Sequence, residues 1–210
     1  MSEKTTPLEA LTRAESMLGK GTYWLGTGTY HSRLDLPWTA CAAMPSVKDA
    51  CDCWGLVAWA FRQPRTRPGY NKGGATVQDA VNVDSAIEDA FGIRDRPARK
   101  QLWQPVTADQ TVALGDLLVW PSIYVTLTKT ANGVTARTRT RARIGHVAII
   151  SKAPTDWNQD FSKLEVIQCG GRNGSHPAIR KISGQAWNNK DTDGGKQNKE
   201  WRARILRVVV

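Results

Sequence analysis

Apolar positions along the chain follow two different rhythms, helical in the first half and strand-like in the second. Thr6, Pro7 and Glu9 form a helix entrance in which Thr6 caps, Pro7 suits the first helical position and Glu9 closes a capping box. The amphipathic spacing that follows predicts a helix to about Leu18, stopped at Gly19. From Gly26 to Cys51 glycines and prolines break any periodicity, as expected of a long irregular loop beside a cleft. CDCWGLVAWAFR then carries Leu56, Val57, Trp59, Ala60 and Phe61 in a pattern that suits a buried helix starting near Asp52. A loop around Arg62 to Gly74 and a short surface helix over Asp84 to Phe91, ended by Gly92, complete this half.

Beyond this point the residues are rich in β-branched and aromatic types. Strands are predicted over Leu117 to Trp120, Tyr124 to Thr130, Val134 to Arg143, His146 to Ile150, Leu164 to Cys169 and Ile205 to Val210. Ala131, Asn132 and Gly133 mark a hairpin turn between the second and third. Helices followed by strands, without βα alternation, predict an α+β fold: an antiparallel sheet of about five to six strands packed against N-terminal helices. No repeat interrupts the chain. A length of 210 residues fits a single catalytic domain spanning 1–210, with loop insertions near 28–50, 62–80, 122–143 and 186–200.

The net charge of +10 and pI of about 9.7 favour anionic partners. Arg137, Arg139, Arg141 and Arg143 alternate with small residues, so on a strand all four are expected on one face, either solvated or lining a polymer. The opening residues have no continuous apolar run of signal-peptide length, and no later segment is long enough for a membrane span. The expectation is therefore cytoplasmic synthesis without membrane insertion. A target outside the membrane then requires delivery by phage lysis, a virion or a secretion machine. The four cysteines, Cys41, Cys51, Cys53 and Cys169, are too few for a disulfide scaffold, and their spacing does not suit zinc, so no metal and no cofactor is expected.

Cys53 stands at the start of the predicted buried helix, where the macrodipole and unpaired backbone N–H groups favour a thiolate. A buried packing cysteine is the alternative. His146 follows Gly145 and opens the apolar strand HVAII, where a polar ring has little packing reason to be. An imidazole at a strand end can face a helix start, take the thiol proton and return it to a leaving amine. Gln168, within LEVIQC, offers a carbonyl oxygen to orient the ring. His31 and His176 lie in turn-rich sequence and are read as structural.

These residues resemble the papain-like NlpC peptidases, which cleave peptides of bacterial peptidoglycan. GTYWLGTG at Gly21 to Gly28 looks like that family's entry block, and DCWGLV at Asp52 to Val57 looks like its nucleophile motif. GDLLVW at Gly115 to Trp120 is similar to its Gly-Asp-Leu block, and GHVAII at Gly145 to Ile150 to its histidine strand. VIQC at Val166 to Cys169 falls where the family carries its third polar residue. The resemblance implies a papain-like NlpC-type fold with the nucleophile at a helix start. It also implies Cys53 as nucleophile, His146 as base and acid, and Gln168 as orienter. Tyr23 would be a substrate or oxyanion contact, and Asp52 a receiver of the substrate amine. Trp54 replaces the family's usual small serine and so alters the substrate pocket.

The expected function is hydrolysis of an amide bond in peptidoglycan, with anionic wall polymers as further partners and a monomeric state. An amidase or acyltransferase of the same fold would use the same cysteine and histidine. A nucleic-acid or anionic-polymer binding module would account for the charge and the nine tryptophans, but leaves Cys53, His146 and Gln168 without a role.

Overall fold

The computed structural model describes residues 5–25, 49–62, 103–107, 109–120, 123–132, 134–143, 146–188, 192–193, 196–197 and 203–208. The predicted helix over Asp84 to Phe91 lies outside them, as do the loops at 28–48 and 63–80.

Helix α1 (Pro7–Glu15) begins with the capping box read from the sequence: the Thr6 hydroxyl accepts from the Glu9 N–H, and the Glu9 carboxylate accepts from the Thr6 N–H. It is shorter than its apolar pattern predicts, because Ser16 closes it and the chain turns to Gly19, whose N–H donates to the Ile179 carbonyl. β1 (Thr22–Tyr23) pairs in parallel with β2 (Ala50–Cys51). Helix α2 (Cys53–Ala60) follows at once, and every one of its residues is buried, as its all-round apolar surface requires. Arg13 ties the helices together: its guanidinium sits 4.2 Å from the centre of the Trp59 ring and donates to the Trp59 carbonyl.

The remaining strands are β3 (Trp103–Pro105), β4 (Leu117–Trp120), β5 (Ile123–Ala131), β6 (Val134–Arg143), β7 (His146–Lys152), β8 (Glu165–Cys169), β9 (Ile179–Ser183), β10 (Thr192–Asp193), β11 (Lys196–Gln197) and β12 (Arg204–Val208). Six of them form one antiparallel sheet in the order β3-β12-β4-β7-β8-β9. The architecture is α+β, as the succession of periodicities predicts. Of the sheet's strands, β3 and β9 were not legible: IRKIS in β9 has too little apolar alternation, and β3 is three residues long and ends in proline.

Both faces of the sheet are covered. Leu117, Val119, Val147, Ile149, Ile167, Cys169 and Ile179 pack with α1 and α2. Leu118, Ala148, Ile150, Val166 and Ile205 pack with Trp157, Leu164 and Trp187 from the connecting segments. Sequence periodicity anticipates the first layer only, because the second is built from isolated side chains on turns.

The Gly115–Asp116 pair is a joint in this architecture. Gly115 has φ +85°, and a Cβ there would lie 2.3 Å from the Pro7 carbonyl oxygen, so only glycine lets α1 seat against β4. Asp116 is buried and accepts from the Ala113 N–H at 2.8 Å and from Arg207 of β12 at 2.9 and 2.7 Å.

Among the described residues β5 and β6 pair only with each other, as a two-stranded ribbon outside the main sheet. Ala131 pairs with Val134, closing a hairpin, and Asn132 between them has φ +52°, the left-handed conformation such loops favour; Gly133 lies outside the described residues. A register shift near Ile123 and Tyr124 corrects the expectation of four arginines on one face: Arg137, Arg139 and Arg141 keep the alternation, while Arg143 pairs with Ile123, outside that row.

Candidate active site

The site is assembled where β1, the start of α2 and adjoining ends of β7 and β8 converge. Asp52 is extended, with φ −107°, and caps α2 by accepting from the Gly55 N–H at 2.8 Å. This fixes Cys53 as the first residue of the helix, with the sulfur-bearing residue 6% exposed. Parallel pairing sets Tyr23 opposite Cys51, so the phenol reaches the same chain segment. Burial holds Tyr23 well above the ordinary phenol range, and the proximity of Cys53, Asp52, Cys169 and Cys51 adds to this. Tyr23 is therefore a protonated hydrogen-bond donor at neutral pH.

His146 is the first residue of β7. Ile149 pairs with Ile167, and continuing this register sets Gln168 beside Ala148, one pleat from His146 on the same face. The two side chains meet, with His146 Nε2 and Gln168 Oε1 2.5 Å apart. An amide oxygen only accepts, so Nε2 carries the proton and Nδ1 carries the lone pair. Burial pushes His146 below its ordinary pKa, while the hydrogen bond to Gln168 and the charge of Asp52 act in the opposite direction. Asp52 thus lies within electrostatic reach of the imidazole, although α2 packs on the other face of the sheet. Both groups sit where the sheet ends, which allows that approach.

Trp187 was not anticipated. Its ring stacks on His146 at a centroid distance of 5.6 Å and an interplanar angle of 25°, and it is itself 3% exposed. It lies on the 3-10 turn Gly184–Asn188, in a polar stretch whose sequence gives no hint of a partner 41 positions earlier. The β8–β9 connection is a second unanticipated element. Tyr23 N–H donates to the Ser175 carbonyl, the Tyr23 carbonyl accepts from the Gly174 N–H, and Asn173 Oδ1 accepts from the Leu25 N–H. His176, read as structural, contacts the Gly21 carbonyl through Nδ1 at 2.9 Å. This connection locks β1, and with it Tyr23, in place.

Of the residues singled out from the sequence, His146 and Gln168 are bonded, Asp52 acts on His146, and Tyr23 neighbours both Cys53 and Asp52. Trp54 is packed in the core with Leu56, Val57 and Trp59, so its ring serves the seating of α2. Cys51, Cys53 and Cys169 carry thiols rather than disulfides, and Cys41 lies outside the described residues. No helix among the described residues is long and apolar enough to cross a membrane.

No family model matches the chain, and neither does any curated protein or solved structure.

Proposed function

We propose that this protein is a papain-like cysteine peptidase of the NlpC type that hydrolyses an amide bond in the peptide portion of bacterial peptidoglycan. The observation that carries this reading is the His146–Gln168 hydrogen bond, formed within the electrostatic reach of Asp52, the residue immediately before a cysteine at a helix start. An amide oxygen on Nε2 leaves Nδ1 as the basic nitrogen, which is the arrangement a thiol–imidazole pair needs.

In this mechanism His146 takes the Cys53 proton and the sulfur attacks the amide carbonyl carbon. Backbone N–H groups at the start of α2 and the Tyr23 hydroxyl stabilise the oxyanion. The C–N bond breaks as the imidazolium returns the proton to the departing amine. Water, deprotonated by the same imidazole, then cleaves the thioester and regenerates the thiol. Asp52 receives a free amine of the substrate.

The test is incubation with purified sacculi, with and without a thiol alkylator, and identification of released fragments by mass. Peptide fragments that vanish on alkylation support the reading. Unchanged sacculi in both arms, from protein shown to be folded, overturn it.

A further inference from the structure

We propose that the β5–β6 ribbon is a docking surface for an anionic wall polymer linked by phosphodiesters. The inference uses the backbone register and the sequence; the row of cations does not depend on whether Cys53 catalyses anything, while the wall as the source of the polymer rests on the proposed function. From Ile123 to Arg143 the chain carries Lys129, Arg137, Arg139, Arg141 and Arg143 and no carboxylate. Antiparallel pairing puts Arg137 opposite Thr128, Arg139 opposite Thr126, Arg141 opposite Tyr124 and Thr135 opposite Thr130, so one face holds a row of three arginines flanked by hydroxyl-bearing residues. The opposite face takes Val125, Leu127, Ala131, Val134 and Ala136 together with Lys129, Thr138 and Thr140, so the arginine row lies on the more polar of the two faces. At the tip of the polar face Thr130 and Thr135 are exposed, their hydroxyls 3.1 Å apart.

Alternate residues of a strand are about 6.8 Å apart, so the arginines form a regular linear array of cations with no acidic residue within the ribbon to neutralise it. A linear phosphodiester polymer presents the complementary pattern, one anion per repeat, and guanidinium groups bind phosphate oxygens in pairs. Nucleic acid is the less suited polyanion. The polar face has one aromatic residue, Tyr124, and no amide side chain, so it lacks the stacking series and much of the base-reading chemistry that nucleic-acid surfaces add to charge.

The experiment measures binding of poly(glycerol phosphate), single-stranded DNA and duplex DNA to three folded proteins: the native chain, the ribbon variant R137Q/R139Q/R141Q, and the control K20Q/K152Q/K181Q, which removes equal charge from exposed sites elsewhere. The expected result is salt-dependent polymer binding that weakens about tenfold or more in the ribbon variant and about twofold or less in the control. Equal weakening in both variants assigns binding to net charge and overturns the proposal. So does ribbon-dependent binding that is tighter for either DNA than for the polymer. Cleavage of soluble muropeptides, which carry no polymer, should be the same in the ribbon variant and the native chain. Its absence in both would count against the peptidase reading and leave the binding result intact.

Discussion

His146 and Gln168 are joined through Nε2 and Oε1 at 2.5 Å, across one pleat of two antiparallel strands. The bond sets the tautomer of the imidazole. It also opposes the effect of burial on the ring's proton affinity. Replacing Gln168 by Glu puts a carboxylate where a neutral oxygen now accepts, which favours the imidazolium. In a Cys53→Ala background the His146 resonance, assigned by its loss in His146→Gln, should titrate about one pH unit higher or more. An unchanged titration would separate Gln168 from the ring's protonation equilibrium.

Removal of the sulfur tests the proposed nucleophile directly. Cys53→Ala should melt close to the native temperature, since a small buried side chain is replaced by a smaller one, while hydrolysis falls by roughly four orders of magnitude or more. Rates from folded variant protein on muropeptides provide the measurement.

The fold pH dependence follows from the burial of His146. Its folded pKa lies below the ordinary histidine value of about 6.5, so between the two values the unfolded chain binds the proton more readily. Stability from this group is complete above the unfolded pKa and is lost as pH falls through that window. Melting temperatures measured from about pH 8 to about pH 5 should decline on the acid side, and His146→Gln should flatten that part of the decline. Identical profiles for the two proteins would refute the assignment.

Trp187 holds the face of the imidazole. Trp187→Ala should destabilise the fold by about 3 to 5 kcal/mol through the cavity left in the core. Trp187→Phe keeps an aromatic face and should remain folded, with kcat reduced and KM nearly unchanged, because the ring positions His146 rather than substrate. Urea melts and steady-state kinetics on the two variants distinguish packing from positioning.

Gly115 offers a test remote from the site. An added Cβ there meets the Pro7 backbone and must occupy a left-handed conformation, so Gly115→Ala should cost about 3 kcal/mol or more. Chemical denaturation measures it, and near-native stability would show that α1 can lift off β4 at little cost.

The contrast between Gly115 and Trp187 explains what the sequence made legible. Capping at Thr6, the buried run from Cys53 to Phe61, the hairpin closed between Ala131 and Val134 and the apolar strands are local patterns, and each recurs in the structure close to its predicted place. His146 and Gln168 were recognisable as polar residues within or at the start of apolar strands. The Trp187 stack, the clasp of Ser175 on Tyr23, and the seating of Pro7 on Gly115 join segments far apart in sequence. No periodicity encodes such pairs, because each depends on where the whole sheet has put its ends. The shift near Ile123 that removes Arg143 from the arginine row is likewise a matter of pairing between strands, invisible in either strand alone.

Chain continuity gives the ribbon a further property. β6 ends at Arg143 and β7 begins at His146, so their Cα atoms are no more than roughly 11 Å apart even at full stretch. Whatever the ribbon grips is leashed to the imidazole by a tether of two residues. Under the proposed peptidase reading, a substrate attached to that cargo would meet the site at the high effective concentration of an intramolecular encounter, so that a preference for intact walls over soluble fragments would follow from geometry rather than from a tighter cleft.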